Sequence, residues 1–166
     1  MNLNINSDIR IAETLPSSFY KDSELFEIIK NKIFLRASHW IGDENLIAEK
    51  NSIYPFTLLE GYLDEPLLLS RSKDNNIKCL SNVCTHRGNL LVLKPCKSAK
   101  IRCTYHGRRF KNDGEFGTTG DCENLNSDEI ENIEKHQLPE TKMIYWRNWM
   151  KLLIVNKNII VQLIDE

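Results

Sequence analysis

The chain has 166 residues, 41% of them hydrophobic, and a formal net charge of −1 from 22 Lys and Arg against 23 Asp and Glu. These values describe one soluble domain, or one with a small inserted lobe, holding enough apolar residues for a core. The near-neutral balance excludes an overall polyanion binder, so no nucleic-acid partner is expected and only a local charged patch remains open.

Met1-Asn2-Leu3-Asn4-Ile5-Asn6 has neither a basic start nor an apolar run, so it is not a signal peptide. No stretch approaches the roughly eighteen apolar residues of a membrane span, and no membrane association is expected. Residues 1–20 read as a lead-in with a turn at Pro16-Ser17-Ser18. Asp22 or Ser23 can cap a helix running to about Phe34, in which Leu25, Ile29 and Ile33 form one apolar stripe.

From Leu35 the periodicity shortens to that of strands. Residues 56–60, 66–71 and 77–81 are short apolar or alternating runs, separated by turn formers at Gly61, Asp64-Glu65-Pro66 and Lys73-Asp74-Asn75-Asn76. The last two runs read as a hairpin that delivers Cys84 at its exit. Residues 90–93 and 100–103 are expected to form a second hairpin, and residues 109–111 return through an Asn-Asp-Gly turn. Residues 113–140 are polar and acidic and read as a long excursion. Residues 143–147 and 151–155 form a closing hairpin, and 159–164 add an edge strand. Many short strands with turn signals predict an all-β domain carrying one N-terminal helix.

The chemistry concentrates in residues 84–107. Cys84-Thr85-His86-Arg87-Gly88 and Cys103-Thr104-Tyr105-His106-Gly107 form two hooks, Cys-x-His and Cys-x-x-His, each followed by glycine. Each hook offers one thiolate and one imidazole at a spacing that turns both to one side of a tight loop. The glycines permit backbone conformations that a Cβ would block. Two thiolates with two imidazoles suit either a tetrahedral zinc ion or an iron–sulfur cluster of mixed ligation. A one-residue Cys-x-His spacing is unusual for zinc ribbons, which use two to four residues. Iron and acid-labile sulfide in a coloured protein would separate the two readings.

The pattern C-x-H-R-G, then C-x-x-H-G, resembles the Rieske domain of ring-hydroxylating oxygenase large subunits. Asn82-Val83 before the first hook, Asn112-Asp113-Gly114 after the second and residues 33–42 extend the likeness over residues 15–155. Thr104 stands where that family usually has proline, and Arg108 where it usually has tryptophan. The resemblance implies a Rieske fold, a β-sandwich base with a small inserted cluster-binding lobe. Residues 1–34 would be the lead-in and helix, 35–160 the Rieske domain with its lobe at about 82–114, and 161–166 a C-terminal tail. It implies a Rieske-type [2Fe-2S] cluster with Cys84 and Cys103 on one iron and His86 and His106 on the outer one.

Neutral imidazoles in place of thiolates lower the cluster's negative charge and raise its reduction potential. Respiratory-chain Rieske proteins carry a disulfide between the two loops, at places that hold Asn89 and Tyr105 here, and a serine where this chain has Arg108. With those features absent, the lower-potential oxygenase-like type is expected. The function implied is one-electron transfer, with a ferredoxin or flavoprotein reductase as donor. The alternatives are the Rieske portion of a split or truncated oxygenase that needs another catalytic chain, and a structural zinc module.

The resembled oxygenases also use a second iron held by two His and a carboxylate. His39 and His136 lie far apart without that motif, so no oxygen-activating site and no catalytic residue is expected in this chain. His39 reads as a satisfied structural residue and His136 as solvent-facing. Cys79, Cys96 and Cys122 are left as small buried or half-buried residues in no disulfide-framework spacing, which suits a reducing compartment, the cytoplasm. Trp146 and Trp149 read as strand packing. Between Asp74 and Asp113 there is no acidic residue, but there are Lys78, Arg87, Lys94, Lys97, Lys100, Arg102, Arg108, Arg109 and Lys111. Either these basic residues ring the histidines and steer an acidic electron donor, or the acidic stretch from Asp113 to Glu134 folds over and neutralises them, or both are solvated faces.

Overall fold

Residues 5–118, 136–146 and 149–153 are described by the structure, a computed structural model. Helix α1, Ser23–Lys32, begins where the Asp22 carboxylate accepts the Leu25 N–H at 2.9 Å, so Asp22 is the cap. The helix buries no residue and lies on the outside of the domain, with Leu25 and Ile29 half-buried. It ends at Ile33, whose N–H reaches Ile29 O at 2.8 Å, before a 3-10 turn at Phe34–Arg36.

Three antiparallel sheets follow. Strands β1 (Ser38–Asp43), β2 (Ser52–Leu58), β3 (Glu65–Arg71), β4 (Ile77–Ser81) and β5 (Cys96–Lys97) come first. Then come β6 (Lys100–Arg102), β7 (Arg109–Lys111), β8 (Phe116–Thr118), β9 (Glu140–Thr141), β10 (Met143–Trp146) and β11 (Trp149–Leu153). The central sheet has the order β5-β2-β3-β4-β9, an outer sheet has β1-β11-β10, and a small lobe has β6-β7-β8.

The central sheet is buried on both faces, which explains the unbroken run Leu67-Leu68-Leu69 in β3. Leu67, Leu69 and Cys79 pack with Ile47, Leu58 and Met150 toward the outer sheet. Leu68 and Leu80 pack the other way, against Ile101, Phe110, Phe116 and Leu138 under the lobe. Fully burying a leucine stabilises by about 1.5–3 kcal/mol, and β3 places buried leucines in both layers.

The β3–β4 hairpin turns through residues 72–76, with Asn75 left-handed at φ +67° and Ser72 Oγ accepting from the Asp74 and Asn76 amides at 3.2 Å. β2 begins at Ser52, earlier than the predicted 56, because Ile53 and Ser70 already pair in its register. The expected hairpin between residues 90–93 and 100–103 does not form. Residues 90–93 make one bridge, Val83↔Leu90, and β6 pairs with β7 instead. The Asn82 side chain takes the place of a strand partner: its Nδ2 donates to Val92 O at 2.7 Å and its Oδ1 accepts from Val92 N at 2.9 Å.

The Asn-Asp-Gly turn is as expected, with Gly114 N donating to Lys111 O at 3.0 Å between β7 and β8. The closing hairpin is β10–β11, and β1 pairs on the far side of β11. Most of the acidic excursion and the predicted edge strand at 159–164 lie outside the described residues.

Candidate metal centre

The two hooks are one six-residue turn used twice. Cys84 N–H donates to Asn89 O at 2.8 Å and Gly88 N–H to Cys84 O at 3.0 Å; Cys103 N–H donates to Arg108 O at 2.8 Å and Gly107 N–H to Cys103 O at 3.1 Å. The fifth residue of each turn is left-handed, Gly88 at φ +69° and Gly107 at φ +74°, a conformation that favours glycine. The first hook leaves the end of β4, and the second is the loop of the β6–β7 hairpin, whose register pairs Arg102 with Arg109. The structure thus brings both hooks to the same lobe.

Cys84 and Cys103 are each 2% exposed and belong to the apolar cluster shared with Leu68, Leu80, Ile101 and Phe110. His86 and His106 are exposed, with their rings 4.8 Å apart between centroids at 65°. Tyr105 lies against His106 with centroids 3.8 Å apart. The donors therefore divide into a buried thiol pair and an exposed imidazole pair. Among the described residues no three His, Cys, Asp or Glu side chains gather as a single ion would require. Thiols inside and imidazoles outside fit a group that takes two sulfur ligands on one side and two nitrogen ligands on the other.

The electrostatics of the two sulfurs differ. Burial pushes the Cys84 thiol above its ordinary range, against the opposing pull of the His86 backbone N–H and the Arg108 charge. At Cys103 burial acts the same way. There the N–H groups of Tyr105 and His106, with the Cys84 and Asn89 side chains, outweigh it and hold the thiol below its ordinary value. Backbone N–H groups aimed at sulfur favour the thiolate, the form that binds iron.

Two residues at the ends of the turns went unnoticed as partners in the sequence. Asn89, last in the first turn, points its Nδ2 at Cys103 Sγ (3.7 Å) and Thr104 Oγ1 (3.4 Å) of the second. Arg108, last in the second turn, donates from Nη1 to Thr85 Oγ1 of the first at 3.2 Å. Only the shared distance from each cysteine, five residues, could have marked them in the sequence.

Arg108 corrects an expectation. It is 7% exposed and not part of any surface patch. Its Nη1 also faces His136 Nδ1 at 3.3 Å, and its guanidinium lies over the Phe116 ring at 5.1 Å. His136 is accordingly half-buried rather than solvent-facing, with its carbonyl accepting from Thr85 Oγ1 at 2.8 Å and its ring 5.5 Å from Phe116. His39 is satisfied as expected, its Nε2 donating to Phe34 O at 2.7 Å. Cys79 is buried but Cys96 is exposed, and Cys122 lies outside the described residues.

Known proteins carry the same architecture. The chain is 30% identical over 123 residues to the carnitine monooxygenase oxygenase subunit of Acinetobacter baumannii, which covers 74% of this chain but 32% of that protein. The large oxygenase component of the naphthalene 1,2-dioxygenase system of Pseudomonas putida is 32% identical over 118 residues, 69% of this chain and 25% of its own length. The chain thus spans about a third or less of these relatives. The apo crystal structure of the quaternary ammonium Rieske monooxygenase CntA superposes with a TM-score of 0.71 at 25% identity, over 87% of this chain and 40% of that one.

The mostly β architecture with one helix is the Rieske fold of these oxygenases. No helix among the described residues is long and apolar enough to cross a membrane. Residues 48–134, more than half of the chain, match the Rieske [2Fe-2S] domain, so the chain belongs to that family and its cofactor is a Rieske-type [2Fe-2S] cluster.

Proposed function

We propose that the chain carries single electrons through a cluster held by Cys84, Cys103, His86 and His106, as a component related to Rieske non-haem iron oxygenases. The observation that carries this reading is the division of donors, two thiols buried in the core under the lobe and two imidazoles exposed side by side at its tip. Bound there, the cluster supplies a one-electron couple. The chain's own residues do the rest. Leu68, Ile101 and Phe110 keep water from the sulfurs, the Tyr105 and His106 amides and Asn89 favour negative sulfur at Cys103, and the exposed imidazoles offer an edge for electron entry and exit.

The donor in this reading is a ferredoxin or flavoprotein reductase, and the acceptor is an oxygenase catalytic centre on another part of the assembly. A basic surface supports the first. Arg102 and Arg109 sit directly opposite each other on the exposed side of the hairpin that carries the second hook, as do Lys100 and Lys111. Like charges set opposite one another destabilise a sheet, so the arrangement suits binding better than folding.

Lys97 and Lys111 are paired to Glu49 and Glu115, whereas Arg87, Arg102 and Arg109 have no ion pair among the described residues. That the chain spans about a third of the carnitine monooxygenase oxygenase subunit favours, as a second reading, the Rieske portion of a longer or split oxygenase. A cytoplasmic location suits Cys79 and Cys96, which are neither ligands in this reading nor joined in a disulfide.

The test is assembly. Cys84→Ser and His106→Ala are expected to lose bound iron and acid-labile sulfide, and with them the visible and EPR spectrum. Ligation energy is partly folding energy, so the lobe should also become less stable. Unchanged iron and sulfide stoichiometry in both variants would refute the ligand assignment, and bound zinc without sulfide would restore the structural zinc reading.

A further inference from the structure

We propose that Arg108 is a positioning residue whose buried positive charge, braced between the two hooks, raises the reduction potential of the cluster. The inference rests on the proposed ligand set. Arg108 is a cation 7% exposed, and among the described residues no carboxylate pairs with it. Its partners there are neutral: the Thr85 hydroxyl, the Phe116 ring face and the imidazole of His136. A guanidinium has no acceptor to offer, so it donates to His136 Nδ1, which places that ring's proton on Nε2.

Hydrogen bonds of this kind solvate a buried guanidinium but do not balance it. A buried cation without an anion is expensive, and native proteins supply the anion. Among the described residues, the group prone to negative charge on which Arg108 acts is the hook sulfur of Cys84, whose thiolate form the Arg108 charge favours. The reciprocal brace gives the same direction. Asn89 ends the first turn and reaches across to Cys103 and Thr104; Arg108 ends the second and reaches across to Thr85. The two residues at equivalent places each tie one hook to the other, one with a neutral amide and one with a full charge.

Reduction of a cluster held by the two hooks would add negative charge close to Arg108. A fixed cation there in a low-dielectric surrounding stabilises the added charge and costs no reorganisation, so the reduced form is favoured. The missing hydroxyl donor at this position is thereby offset by a charge, and the potential lies above what the hydrogen bonds alone would set.

The experiment compares wild type, Arg108→Gln and Arg108→Lys in the loaded protein, by equilibration with one-electron redox dyes of known potential. The neutral Gln variant is expected to be reduced about tenfold less favourably, a fall of about 59 mV for a one-electron couple. The Lys variant, which keeps the charge, should fall by less than half of that. Equal potentials in all three proteins with the cluster spectrum intact overturn the inference while leaving the ligand assignment standing. A wild-type protein without the Rieske spectrum overturns both. Should the Gln variant lose its iron, the Lys variant decides: iron retained at near wild-type potential supports a requirement for charge, and iron lost equally from both overturns it.

Discussion

At the scale of single residues, burial decides the chemistry of the leftover thiols. Cys79 is fully buried in β4 against Leu67 and Leu69, and desolvation pushes its pKa far above the ordinary thiol value of 9.0. In the unfolded chain the thiol ionises near that ordinary value, while in the fold it stays protonated. The unfolded state thus binds fewer protons above about pH 9, and stability falls as pH rises through that range, by up to about 1.4 kcal/mol per unit. Cys79→Ala should remove this component, so the difference in melting temperature between variant and wild type shifts in favour of the variant from pH 8 to pH 10. A pH-independent difference would mean that Cys79 ionises in the fold. Alkylation of the native protein should accordingly reach exposed Cys96 and spare Cys79.

At the scale of elements, β3 and the lobe share one core while α1 stands apart from it. Leu68 packs in the same cluster as Cys84 and Cys103. Leu68→Ala should cost about 2–5 kcal/mol, and because the cavity opens beneath the thiols, it should release iron faster as well. Iron release at the wild-type rate from a destabilised variant would separate the core from the site. Asp22→Ala removes the cap of a helix that buries nothing, worth about 1 kcal/mol locally. It should speed amide exchange in α1 and leave the visible spectrum unchanged. A changed spectrum would tie the helix to the cluster lobe.

For the whole molecule, the exposed basic hairpin sets a trade between stability and association. Replacing Arg102 by Glu turns a repulsive cross-strand pair with Arg109 into an attractive one. The variant should melt at the same temperature or slightly higher, and yet be reduced more slowly by an acidic ferredoxin, with a flatter dependence on salt. Stopped-flow reduction at several ionic strengths reads both slopes. Reduction at the wild-type rate in low salt would remove this face from the docking surface.

Much of this was legible in the linear chain because it depends on local spacing. The hooks, their glycines, the Asp22 cap, the β3–β4 hairpin and its Asn-rich turn are all set within a few residues, where side-chain type and backbone conformation act directly on one another. What required the fold is what depends on residues far apart in the chain. In the linear chain Arg108 is a departure from the family's tryptophan and one of a run of basic residues; the β6–β7 hairpin sets it over the Phe116 ring and against His136, which is 28 positions away. The run 90–93 reads as a strand because a short apolar run cannot show that its partner is the Asn82 side chain. Composition and spacing state which groups are present; burial and partnership, which set whether a charge is solvated, paired or aimed at a cofactor, come only from the packing of distant segments.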